Sequence, residues 1–90
     1  MNRFACYLYE ESFSEEHLVD DNCVIGYDEP MQTFFFQSGE EDEEGAPLIW
    51  LGIEFQQYQS ISQIEKALQQ HKFVLKIDLK DREILERHEF

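Results

Sequence analysis

Five consecutive carboxylates, Glu40, Glu41, Asp42, Glu43 and Glu44, stand between Gly39 and Gly45, and no folded core can take them in. Like charges repel one another, an unpaired buried charge is costly, and the flanking glycines weaken any regular element. The run is therefore a solvated loop, and it separates two apolar stretches. On one side lies 31–38, Met-Gln-Thr-Phe-Phe-Phe-Gln-Ser. Aromatics dominate it and no helical spacing is kept, which predicts a strand. On the other side lies 47–55, Pro-Leu-Ile-Trp-Leu-Gly-Ile-Glu-Phe, with Pro47 at its start, where no ladder donor is required. An antiparallel hairpin of 31–38 with 47–55 follows.

The remaining chain offers further strands and one clear helix. In 3–9, Phe4, Cys6 and Leu8 share one face of a strand while Ala5, Tyr7 and Tyr9 share the other. Residues 10–22 are polar, and Ser12 followed by Glu15 matches a capping box, which predicts one or two helical turns around 13–20. Residues 23–27 read as a short strand, and Asp28-Glu29-Pro30 as a turn. Ser60, with Gln63 three positions on, caps a helix over 61–71, and Ile61, Ile64, Ala67 and Leu68 form its apolar stripe. Residues 73–79 alternate cleanly as a strand. The segment 81–90 reads as a last strand ending in Phe90, in preference to a short helix using Ile84, Leu85 and His88. The fold expected is α+β: a single domain over 1–90, with a mainly antiparallel sheet of four to six strands and one main helix packed on one face.

Charge narrows the function. Twenty acids against seven bases give a net charge of −13. That balance opposes direct binding to nucleic acid or an anionic membrane, both of which call for clustered Lys and Arg. No apolar run approaches the length of a transmembrane helix, and the chain reaches Glu10 and Glu11 before a signal-peptide core could form. A cytoplasmic protein is the expectation. Through Gln59 there are fourteen acids and one base, Arg3; from Ser60 onward there are six of each. The excess arrives largely as neighbours: Glu10-Glu11, Glu15-Glu16, Asp20-Asp21, Asp28-Glu29 and the 40–44 run. Such groups serve solubility in the simplest reading. Their total invites a second, in which they complement a basic surface on another protein. Spread over a domain about 30 Å across, they approach the charge density of a nucleic-acid duplex, roughly one per 1.7 Å.

Apolar residues also occupy both faces of several strands. If Phe34 and Phe36 face the core, Phe35 points away; if Ile49, Leu51, Ile53 and Phe55 face it, Trp50 points away with Leu48. Either loops or the C-terminal segment cover that second face, or Phe35, Trp50, Tyr7 and Tyr9 form an exposed patch of the residue types that anchor interfaces.

Catalytic and metal chemistry find little here. His17, His71 and His88 are isolated, and no C-x-x-C, H-x-x-x-H or H-E-x-x-H spacing occurs, so neither a metal nor another cofactor is expected. EF-hand loops alternate their ligands around a central Gly, unlike the contiguous 40–44 run. G-x-S-x-G, P-loop and G-x-G-x-x-G patterns are missing. Cys6 or Cys23 with His17 is the single nucleophile–base pair that can be assembled, and both cysteines read first as buried core thiols, able to meet if their strands pair.

The functional expectation is a small acidic, non-enzymatic binding protein of the inhibitor, immunity or nucleic-acid-mimic kind. Glu10, Glu11, Glu15, Glu16, Asp20, Asp21 and Glu40 to Glu44 would steer the encounter with a basic protein surface, and Phe35 and Trp50 would anchor it. The rival is a homodimer or larger self-assembly built through the aromatic face; a small enzyme ranks third.

Overall fold

The computed structural model describes residues 2–87. Strands β1 (Asn2–Ser12) and β2 (Glu15–Asp28) form a long antiparallel hairpin that pairs as far as Ser12 opposite Glu15. Helical turns around 13–20 are therefore not formed. Phe13 and Ser14 instead close a two-residue turn with φ of 50° and 64°, the left-handed geometry whose twist matches a hairpin. Ser12 and Glu15 thus meet across a turn, where the capping-box spacing had them on one helix. The short strand expected at 23–27 is the far end of β2. Register shifts on either side of Leu8 set Asp20 opposite it, whereas Cys6 faces Cys23 directly.

Strand β3 (Thr33–Gln37) pairs with Val24–Asp28 of β2, and β4 (Trp50–Leu51) pairs with Phe36 and Gln37. The expected hairpin across the acidic loop exists, but its second strand is far shorter than 47–55. Gly52 ends it. Its φ is 86°, and a Cβ there would lie 2.7 Å from Phe35 Cα, so only glycine can make this turn beside β3. The chain then folds back onto the start of β3. Phe34 N–H donates to the Tyr58 carbonyl at 3.0 Å, and Tyr58 N–H donates to Thr33 Oγ1 at 2.8 Å.

Helix α1 (Ile61–Gln69) starts as its cap predicts, with Gln63 N–H donating to Ser60 Oγ at 3.2 Å. It buries Ile61, Ile64 and Leu68 against the sheet and delivers β5 (Phe73–Ile77) antiparallel to β1. The five-stranded order is β4-β3-β2-β1-β5. After β5 the chain turns into helix α2 (Leu79–Arg87), where a strand was expected. Asp78 explains the switch: its carboxylate accepts from the N–H groups of Lys80 (2.9 Å) and Asp81 (3.3 Å), capping the helix. Arg82 then forks onto Glu65 of α1 at 2.7 and 3.2 Å and reaches Glu86 at 2.9 Å. Leu85 drops into the core. His88 and Phe90 lie outside the described residues.

Both helices sit on one side of the sheet. Cys6, Leu8, Cys23, Ile25, Phe34 and Phe36 meet Ile61, Ile64, Leu68 and Leu85 there. Truncating a side chain as buried as Phe36 costs about 3–5 kcal/mol. The molecule measures 37 × 32 × 20 Å, and its short axis accommodates one sheet and one helical layer. Among the described residues no helix lies over the outer sheet face. Phe35 points to that face as expected, yet it is 3 % exposed and cannot belong to an exposed patch. Its ring and the Asn2 carbonyl oxygen together take the space a side chain at Gly26 would need, and a Cβ there would lie 2.7 Å from the ring. The Arg3 guanidinium stands 5.7 Å from the ring centroid, and the Gly52 turn closes another side.

Candidate protein-binding surface

The acidic run is not a slack loop. Asp42 turns its carboxylate inward, accepting from Glu44 N–H at 2.8 Å and Ala46 N–H at 3.0 Å. Leu48 N–H donates to the Glu40 carbonyl at 3.0 Å, and Glu41 bridges to Pro47. Ser38 ties the base: its hydroxyl donates to the Glu40 carbonyl and accepts from Ile49 N–H. The result is a tight finger. All five acids are exposed, but Asp42 is engaged in building the turn that presents the other four.

Asp20 has a similar internal task. It is 8 % exposed, and it accepts from Gly39 N–H at 2.7 Å, Asn22 N–H at 2.9 Å and Glu40 N–H at 3.4 Å. Three backbone donors occupy the carboxylate, so Asp20 anchors the finger to β2 and is withdrawn from the surface. Asp21 beside it is exposed.

Beside the finger a groove of about 670 Å3 runs between the chain at Leu48–Leu51 and the C-terminal end of α1, with Tyr58, Leu68 and Phe73 in its lining. It exists because β4 stops after two residues and leaves the helix side of the sheet open at that edge. A hollow of about 280 Å3 adjoins it, sharing Leu48, Ile49 and Phe73 and adding Glu10, Val19 and Glu40. Apolar side chains stand proud of the walls: Leu48 is 59 % and Trp50 48 % exposed. Trp50 also borders a separate hollow on the outer face, near Phe35 and Ile53.

The candidate residues therefore fall into three places. Glu10, Glu40 and Trp50 border the groove system; Glu41, Glu43 and Glu44 extend from the finger above it. Glu11, Glu15 and Glu16 lie toward the β1–β2 turn. There Glu16 is held by Lys76 at 2.8 Å, and Glu15 stands 3.7 Å from His17 Nε2. Lys76 also lies 4.5 Å from the Tyr9 ring centroid, and its ammonium is held above the ordinary lysine range chiefly by the Glu16 hydrogen bond. Asp20 and Phe35 are buried.

Ile53 and Phe55, expected to face the core, are 57 % and 58 % exposed because β4 ends at Gly52. Sequence reasoning set Leu48 on the outward face with Trp50 but left it out of the contact residues, and it missed Phe13, which is 99 % exposed. An apolar residue next to a proline-ended acidic run was the available signal for the first. The second carried none, because Phe-Ser is not a usual hairpin-turn pair.

The thiols meet. Cys6 and Cys23 Sγ atoms are 3.3 Å apart; Cys6 donates to Cys23 Sγ, and Cys23 donates to the Cys6 carbonyl at 3.0 Å. The Cys6 thiol is pushed far above its ordinary range, first by that hydrogen bond to Cys23, then by burial and by neighbouring negative charge. Both sulfurs are buried, whereas His17 lies on the exposed hairpin beside Glu15. Among the described residues no three His, Cys, Asp or Glu side chains are grouped to hold a metal ion, and no helix is long and apolar enough to cross a membrane.

No family model, curated protein or solved structure matches the chain. The reading of function rests on the surface itself.

Proposed function

We propose that this chain is a non-enzymatic binding protein that engages a basic surface on a protein partner, with the groove beside the acidic finger as the contact. The observation that carries the reading is the adjacency of exposed Leu48 and Trp50 on the groove to carboxylates at Glu10 and Glu40 on the hollow that adjoins it at Leu48. Carboxylates raise the encounter rate with a basic surface, and desolvated apolar and aromatic side chains supply the short-range energy. The arrangement suits an inhibitor or immunity-type regulator, or a mimic of nucleic acid, acting in the reducing cytoplasm where adjacent thiols stay free.

Tagged protein, incubated with lysate of its source at about 50 mM and about 500 mM salt, tests this. A basic protein is retained at low salt and lost at high salt. Neutralising Glu40, Glu41, Glu43 and Glu44 to Gln weakens its retention, and Trp50→Ala weakens it at both salts. Retention indifferent to salt and to the finger charges would sink the electrostatic mechanism.

One observation favours self-association as a second reading. Leu48, Trp50, Ile53 and Phe55, on and just beyond the ends of β4, are each 48–59 % exposed, apolar surface that a second copy could cover. A stable dimer in sedimentation at micromolar concentration, abolished by Trp50→Ala, would favour that reading.

A further inference from the structure

The tip of the β1–β2 hairpin presents a bulky aromatic in a conformation that bulky residues avoid. Phe13 has φ of 50° and is 99 % exposed. Ser14 follows at φ 64°. Asn and Gly adopt this turn freely, whereas a Phe there is strained and, fully hydrated, recovers nothing from burial. A hollow of about 500 Å3 opens between the turn and the Lys72–Val74 segment with Phe13 in its wall, and the ring gains no burial from it.

The turn is also held firmly. The strands pair up to Ser12 and Glu15, and Glu11 N–H donates to the Lys72 carbonyl at 2.8 Å. Carboxylates of Glu11, Glu15 and Glu16 flank it, the last shared with Lys76. A rigid support lowers the ordering cost of binding, and an aromatic on such a support, beside carboxylates that outnumber Lys72 and Lys76, is complementary to one kind of surface.

We infer that Phe13 is an insertion residue: the hairpin tip places its ring in an apolar recess rimmed by Lys or Arg on the partner protein. This rests on the reading of the chain as a binder of basic proteins, and it adds a contact at the hairpin tip, which the sequence pattern does not mark.

The test combines stability with position-specific capture. The double variant Phe13→Asn, Ser14→Gly installs the favoured turn pair, so its Tm rises by roughly 4–8 °C. A photoreactive benzoyl-phenylalanine is placed at position 13 in one protein and at position 50 in another, each irradiated in lysate at about 50 mM salt. Position 13 forms an adduct with a protein whose cross-linked peptide carries Lys or Arg beside apolar residues, and the double variant retains that protein at least tenfold less well than the wild type. Adducts from position 50 alone, or undiminished retention by the double variant, overturn the tip proposal and leave the groove reading standing. Adducts from neither position, with no salt-sensitive retention, overturn both. A cross-link to a second copy of the chain makes the occupant a dimer partner and likewise overturns the proposal, and a Tm that does not rise removes the strain on which it stands.

Discussion

Cys6 and Cys23 show how a pair of residues can tie stability to pH without any chemistry at the surface. Each thiol donates one hydrogen bond inside the core, and the Cys6 proton is held above its ordinary value of about 9. The folded chain therefore keeps a proton that the unfolded chain releases once pH passes that value. Stability contributed by the neutral thiol is complete below pH 9 and declines above it, by about 1.4 kcal/mol per pH unit for one group. Urea unfolding from pH 7 to about 10.5 should show this decline, and Cys6→Ala should flatten it while lowering stability at neutral pH. Equal slopes in the two proteins would refute the assignment. Asp20 teaches a related lesson about reading charge. Its place in an acidic doublet suggested a surface contact, but three backbone N–H groups claim it. Adjacent acids in a sequence look alike; which one turns inward depends on a register shift at Leu8 that no local pattern announces.

At the scale of elements, α2 depends on α1 for its attachment. Leu85 and the Arg82–Glu65 fork are its main anchors, and the guanidinium stays firmly protonated, chiefly through its hydrogen bonds to Glu65. Arg82→Met should cost about 1 kcal/mol, because the pair is only partly shielded from water. Amide hydrogen exchange should quicken in α2 well before α1. Uniform loss of protection across both helices would mean that α2 unfolds only with the whole. The elements also divide by how plainly their sequences announce them. Helix α1 was legible from Ser60 and its apolar stripe, and β5 from strict alternation. Helix α2 was not, because Lys80-Asp81-Arg82-Glu83 carries no periodicity and the deciding interaction, Arg82 with Glu65, spans two helices. The hairpin turn was hidden by Phe-Ser, and β4 was overestimated because Gly52 breaks a run whose one charged residue is Glu54. Of the candidate surface, the acidic finger was visible, whereas the groove beside it arises from the shortness of β4 and so from tertiary structure.

For the molecule as a whole, a net charge of −13 on a body 37 × 32 × 20 Å sets carboxylates against one another. Fourteen of the acids precede Ser60, so the sheet and its loops bear most of the repulsion. Raising salt from about 10 mM to about 500 mM should lift Tm by roughly 5 °C, in the direction opposite to its effect on partner binding. A Tm that falls with salt would mean that attractive pairs such as Lys76–Glu16 outweigh the repulsion. The described helices cover one side of this body, and on the other the Phe35 ring lies over Gly26 beside the Asn2 carbonyl oxygen and is hemmed in by the Gly52 turn. Backbone closes position 26 as firmly as that ring does: the Asn2 carbonyl oxygen stands where a Cβ would go, so no descendant can enlarge position 26 by shrinking position 35, and a lineage that keeps the β1–β2 pairing keeps its glycine.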